Sequence, residues 1–80
     1  MTTNWTELDN SLQKTFQFRD FKEALMFVNK VGEIAERLQH HPDICIKDYK
    51  NVFISTTTHD NGNKVTSKDH ELTTALEMKI

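Results

Sequence analysis

From Asp20 to Gln39 the apolar residues recur at steps of three and four: Phe21, Ala24, Leu25, Phe27, Val28, Val31, Ile34, Ala35 and Leu38. That spacing predicts one amphipathic helix with a broad apolar stripe. Roughly twenty residues at 1.5 Å each make a rod of about 30 Å, long enough to span a small sheet. Asp20 and Glu23 stand three apart at its start, the spacing of a capping box. Its far end reads Glu36-Arg37-Leu38-Gln39-His40-His41-Pro42. Pro42 does not continue a helix and pushes the residue before it out of helical geometry, so the turn is expected at His41. Gly32 costs about 1 kcal/mol relative to alanine in mid-helix, which a close approach by a neighbouring element would explain.

The other elements are read around that rod. Trp5–Leu8 and Leu12–Arg19 form two strands around the turn residues Asp9-Asn10-Ser11. In the second, Leu12, Phe16 and Phe18 share one parity, interrupted by Lys14. After Pro42, Ile44-Cys45-Ile46 makes a short strand and Val52–Thr58, rich in β-branched residues, a longer one. Val52 and Ile54 take one face, while Phe53, Ser55, Thr57 and His59 share the other parity. Asp60-Asn61-Gly62-Asn63 is turn chemistry. Thr66 and Asp69 open a last helix with cap spacing, and Leu72, Ala75, Leu76 and Ile80 give it an apolar stripe. Met1 to Asn4 carry no pattern and are expected to fray. The order strand, strand, helix, strand, strand, helix predicts one α+β domain over residues 1–80, two layers deep, with both helices on one face of an antiparallel sheet.

Size and composition then exclude several classes of function. A chain of 80 residues buries only about 60% of the surface its unfolded form exposes. The lone Cys45 forms no intrachain disulfide, and no Cys/His spacing resembles a structural zinc site. Self-association is the expected further source of stability. Flanked by Ile44 and Ile46, Cys45 reads as a small buried hydrophobe in a reducing compartment. A formal net charge of -2 offers no basic footprint for nucleic acid. No apolar run reaches the length of a membrane span, and the N-terminus lacks the apolar core of a signal peptide, so a cytoplasmic protein is expected.

His40, His41 and His59 fall at the ends of adjacent elements, which meet if the strand after Pro42 pairs with the strand ending at His59. Paired histidines at a helix end also serve simply as cations favoured by the macrodipole. Three imidazoles are able to hold zinc with an open fourth position, but neighbouring residues in a turn rarely point at one ion. Nucleophilic catalysis has less support, with Cys45 read as buried and no serine in a strained elbow. Acid–base chemistry fits best, because histidine titrates near neutrality and one imidazole donates while another accepts. Glu36, one turn before His40, is placed to orient it.

The ordered set Glu36-x3-His40-His41-Pro42-x6-Tyr49-x9-His59-x9-Asp69 resembles the signature of the pterin-4a-carbinolamine dehydratases. The phrases Phe16-Gln17-Phe18-Arg19-Asp20-Phe21, Phe27-Val28, Ala35-Glu36 and Ser55-Thr56-Thr57-Thr58-His59-Asp60 agree, so the resemblance runs from Trp5 into the last helix. It implies a four-stranded antiparallel sheet with helices on one face, assembled as homo-oligomers, dimers or tetramers. It implies dehydration of 4a-hydroxytetrahydropterin to quinonoid dihydropterin without metal or organic cofactor, in recycling of the tetrahydrobiopterin type linked to an aromatic amino acid hydroxylase. The matching positions suggest His40 and His59 as the acid–base pair. They suggest His41 chiefly in substrate binding with Gln39, Ile44 and Lys68, and Glu36 and Asp69 as supporting carboxylates. Asp69 also reads as a helix cap, and Tyr49 as a packing residue. Animal members of the family also act as dimerisation cofactors of a homeodomain transcription factor, so a non-enzymatic interaction module is the alternative; retention of all three histidines favours the enzyme. Many relatives carry an extra helix before the tryptophan, and Ile44 stands near the place of a frequent aromatic. The segments Pro42–Tyr49 and His59–Asp69 are each one residue longer than in the animal form.

Overall fold

A computed structural model describes residues 5–59 and 62–78. The elements are β1 (Thr6–Leu8), β2 (Ser11–Gln17), α1 (Phe21–Leu38), β3 (Asp43–Lys47), β4 (Asn51–Thr56) and α2 (Ser67–Met78). The four strands form one sheet in the order β1-β2-β4-β3, every neighbouring pair antiparallel. Leu12, Phe16, Val52 and Ile54 from the sheet bury against Ala24, Val31, Ile34 and Ala35 of α1 and Leu72 and Leu76 of α2. Both helices therefore lie on one face, as the α+β reading expects. Met1 to Asn4, Asp60, Asn61 and Ile80 lie outside the described residues.

Local chemistry accounts for the turns. Asp9 and Asn10 both adopt positive φ, 53° and 62°, between paired Leu8 and Ser11. A two-residue loop of that hand matches the twist of the strands it joins, and Asp and Asn tolerate it better than most residues. Lys14, the polar interruption in β2, lies on the helix side. Its Nζ sits 2.5 Å from Glu77 Oε2 of α2 and 4.5 Å from the Phe16 ring centroid. Trp5 Nε1 donates to the same carboxylate oxygen at 3.0 Å, so one glutamate ties the residue ahead of β1, β2 and α2 together.

Helix α1 begins as expected, with Asp20 Oδ1 accepting the Glu23 amide at 2.9 Å. Its end differs. The helix stops at Leu38, and Gln39 takes left-handed geometry at φ 54°, ψ 43°. The Gln39 amide bonds Glu36 O and the His40 amide bonds Ala35 O, a Schellman ending that satisfies the last carbonyls before Pro42 exerts any constraint. The turn is thus at Gln39, two residues ahead of His41.

Four other expectations change. An added Cβ at Gly32 meets nothing within 4 Å, so no close approach explains the glycine. Phe21 and Leu25, counted in the apolar stripe, remain 49% and 41% exposed, because they lie at the edge of the face that the sheet and α2 cover. Cys45 is exposed: Ile44 and Ile46 pair with Ile54 and Val52 on the helix side, and strand alternation turns the residue between them outward. Tyr49 stands 60% exposed at positive φ in the β3–β4 hairpin and is not a packing residue. Among the described residues, no helix is long and apolar enough to cross a membrane.

Candidate active site

The register of β3 on β4 sets Asp43 opposite Ser55. Residues just before β3 must therefore meet those just past β4. Gln39, His40, His41, Thr57, Thr58, His59 and Lys68 line an open cleft of about 190 Å³ at that end of the sheet. A larger groove of about 560 Å³ runs between Leu38 and α2. It is mostly apolar and holds none of the three clustered imidazoles, so the chemistry points to the smaller cleft.

Each imidazole is held by a different partner. His40 Nε2 lies 2.6 Å from Asp69 Oδ1. His41 Nε2 lies 2.6 Å from Glu36 Oε2, on the surface. His59 Nδ1 lies 2.8 Å from Asn63 Oδ1, brought round by positive φ at Gly62 and Asn63. The expected Glu36–His40 contact is absent. It relied on the helical relation of residues four apart, and the left-handed Gln39 breaks that relation between them. Glu36 reaches His41 instead. Because each partner atom is a carboxylate or amide oxygen that only accepts, the facing imidazole nitrogen is the donor in every pair. Among the described residues, Nδ1 of His40 and His41 and Nε2 of His59 have no hydrogen-bond partner.

Asp69 is 0% exposed and receives donors at both oxygens. Thr56 Oγ1 donates to Oδ1 at 2.7 Å, and Thr58 Oγ1 to Oδ2 at 2.8 Å. The Thr66 amide donates to Oδ2 at 2.9 Å, which is the helix-cap contact. Burial by itself pushes the Asp69 carboxyl up. The hydrogen bonds from His40, Thr56, the Thr66 amide and Thr58 outweigh it and hold the group below its ordinary value. The fixed carboxylate holds the His40 ring by its Nε2.

Lys68, in the first turn of α2, and Gln39 face the cleft with the histidines. Ile44 does not: paired with Ile54 on the helix side, it packs against the core. Regular pairing of β4 ends at Thr56, but the alternation of burial continues past it: Thr58 is buried with Val52 and Ile54, and His59, on the other parity, is exposed. Sequence reasoning missed Thr56, Thr58 and Asn63. The signal available was the hydroxyl run Ser55-Thr56-Thr57-Thr58 ahead of His59. Among the described residues, no three His, Cys, Asp or Glu side chains are grouped to hold a metal ion.

Comparison with known proteins places the chain in a family. A family described as pterin 4 alpha carbinolamine dehydratase matches residues 1–78. A relative from Sulfurisphaera tokodaii is 47% identical over 73 residues, 91% of this chain and 76% of its own. Another, from Picosynechococcus, is 48% identical over 68 residues, 85% of this chain and 72% of its own. Both carry the name pterin-4-alpha-carbinolamine dehydratase provisionally. The crystal structure of a transcriptional coactivator/pterin dehydratase from Brucella melitensis superposes with TM-score 0.84 at 28% identity, covering 94% of this chain and 80% of that one. A pterin dehydratase-like protein identified as a RuBisCO assembly factor in the alpha-carboxysome shares the fold, with TM-score 0.76 at 18% identity over 95% and 88% of the two chains. The two-layer fold, a four-stranded antiparallel sheet with both helices on one face, is that of the pterin dehydratases. The chain belongs to the pterin carbinolamine dehydratase family.

Proposed function

We propose that this protein dehydrates a 4a-hydroxytetrahydropterin to the quinonoid dihydropterin and water. The observation that carries the reading is the convergence of His40 and His59 on one cleft, with a buried carboxylate behind His40. In the reaction the C4a–O bond breaks onto oxygen, which takes a proton and leaves as water. N5 gives up its proton, and the electron pair of that N–H bond is left to form the C4a=N5 double bond. One acid and one base are needed close together.

Partner chemistry assigns the two roles. Accepting the N5 proton makes an imidazolium, which the Asp69 carboxylate behind His40 stabilises. His40 is the base. His59 is backed by a neutral amide and gives its proton up without losing an ion pair, so it is the acid. His41, Gln39 and Lys68 bind the ring, with the ammonium suited to its carbonyl oxygen. Positioned acid–base groups of this kind contribute about a hundred- to ten-thousandfold each. Such an enzyme acts after a pterin-dependent hydroxylase, the aromatic amino acid hydroxylases being the natural source of the carbinolamine.

The test is a dehydration assay on freshly generated 4a-hydroxytetrahydropterin with chelator-treated protein. Acceleration over the buffer rate is expected, and its absence defeats the reading. Activity lost to chelator and restored by zinc would instead favour a metal site. A second reading, a non-enzymatic interaction module, draws on the exposed Phe21, Leu25 and Met26 of α1 and on the coactivator description of the Brucella melitensis relative. An inactive protein with all three histidines intact would favour it.

A further inference from the structure

The helix-facing side of β4 changes character along its length. Val52 and Ile54 are apolar and fully buried, and Thr56 and Thr58 continue the row, 1% and 3% exposed. Valine has nearly the shape of threonine, so packing alone is served by valine at these positions and gains nothing from a buried hydroxyl. Both hydroxyls converge on one carboxylate, at 2.7 Å and 2.8 Å. The helix cap does not require this. Capping uses only Asp69 Oδ2, through the Thr66 amide, while Oδ1 is turned away from the helix end toward His40.

The proton arrangement is determined throughout the cluster. An ionised carboxylate has about four acceptor sites and no proton to give. Four donors fill them: Thr56 Oγ1 and His40 Nε2 at Oδ1, Thr58 Oγ1 and the Thr66 amide at Oδ2. Thr58 has only one hydroxyl proton and spends it on Asp69. In its 2.6 Å contact with Thr66 Oγ1, Thr58 is therefore the acceptor and Thr66 the donor. A proton on Asp69, or the other tautomer of His40, leaves two donors or two acceptors facing each other in a buried site.

We propose that Thr56 and Thr58 are positioning residues of the dehydratase site, whose hydroxyls clamp Asp69 in one orientation and so lock His40 as the Nε2–H tautomer with Nδ1 free for substrate. The inference rests on the reading of His40 as a proton-transfer group. It adds that two hydroxyls bonded to Asp69, on β4 and just past it, set which ring nitrogen works.

Nitrogen-15 imidazole spectra of the whole protein test the tautomer directly. In the wild type, neutral His40 is expected as Nε2–H alone; a neutral Nδ1–H form overturns the proposal without any variant. In Thr56→Val and Thr58→Val, mixed tautomers at His40 are expected. Their kcat should fall about tenfold to a hundredfold, the usual cost of losing an outer-shell partner, with KM held within about twofold. Thr56→Ser restores the hydroxyl and should restore both the spectrum and kcat. Folded valine variants that keep a single Nε2–H tautomer and the wild-type kcat overturn the clamp. Should the wild type prove inactive as a dehydratase, the dehydratase reading falls on the assay while the spectra still decide the clamp.

Discussion

Asp69 and His40 lie 29 positions apart in the chain, and their side chains meet at 2.6 Å. The Schellman turn at Gln39 aims one of them, and the cap of α2 places the other. Asp69 therefore serves the start of a helix and the back of an imidazole at once. Asp69→Asn keeps the shape but brings an amide N–H₂ among four donors. We expect a loss of about 1–3 kcal/mol in unfolding free energy, as for an unsatisfied buried polar group, together with a large fall in kcat. Equal urea midpoints and equal rates would show that the carboxylate does neither job.

The same carboxylate makes stability depend on pH in a defined direction. Its folded pKa lies below the ordinary 3.8, so the folded state holds the proton less tightly than the unfolded chain. The stabilisation is complete above the unfolded value and is lost as pH falls through the depressed folded one. Urea titrations of wild type and Asp69→Asn, run from neutral pH to about pH 2, should converge at the acid end. A constant gap across that range contradicts the linkage.

The three histidines should separate kinetically. His40→Ala and His59→Ala are expected to lower kcat by about a hundred- to ten-thousandfold. His41→Ala, whose carboxylate partner is on the surface, should mainly raise KM. Wild-type kcat in both of the first two variants would remove the acid–base assignment.

Glu77 accepts both Trp5 Nε1 and Lys14 Nζ. Glu77→Ala leaves the Lys14 ammonium without its counterion on the core side of β2, where its side chain is 15% exposed. A destabilisation of about 1–3 kcal/mol follows, with a red shift of the single tryptophan's emission as the start of the chain loosens. An unchanged spectrum and midpoint would show that the clasp is incidental.

Gly32 and the open face of α1 bear on assembly. With nothing within 4 Å of an added Cβ, Gly32→Ala should stabilise the folded chain by about 1 kcal/mol. A destabilisation instead would mean that a second copy packs closely there. We expect at least a dimer, since one modest core, a sheet with two edges and exposed Phe21 and Leu25 leave surface to cover. Sedimentation equilibrium at micromolar concentration checks this: a single 9.4 kDa species would show that the core suffices alone.

Much of this protein was already determined by local sequence. Periodicity of three to four over Asp20–Leu38 and alternation over Val52–Thr56 fix helix and strand, because burial of one face depends only on spacing. Asp9-Asn10 and Asp20 state a turn and a cap in the residues themselves. The spacing of His40, His41, His59 and Asp69 marked the family. Who touches whom was decided by the tertiary structure. Glu36 pairs with His41 because a left-handed Gln39, a conformation that glutamine does not announce, redirects the chain. Asp69 reaches His40, and Thr56 and Thr58 reach Asp69, because β4 and α2 pack across the same edge of the core. Hydrogen bonds act over about 3 Å, and residues far apart in the chain come within that reach only after every element has been packed.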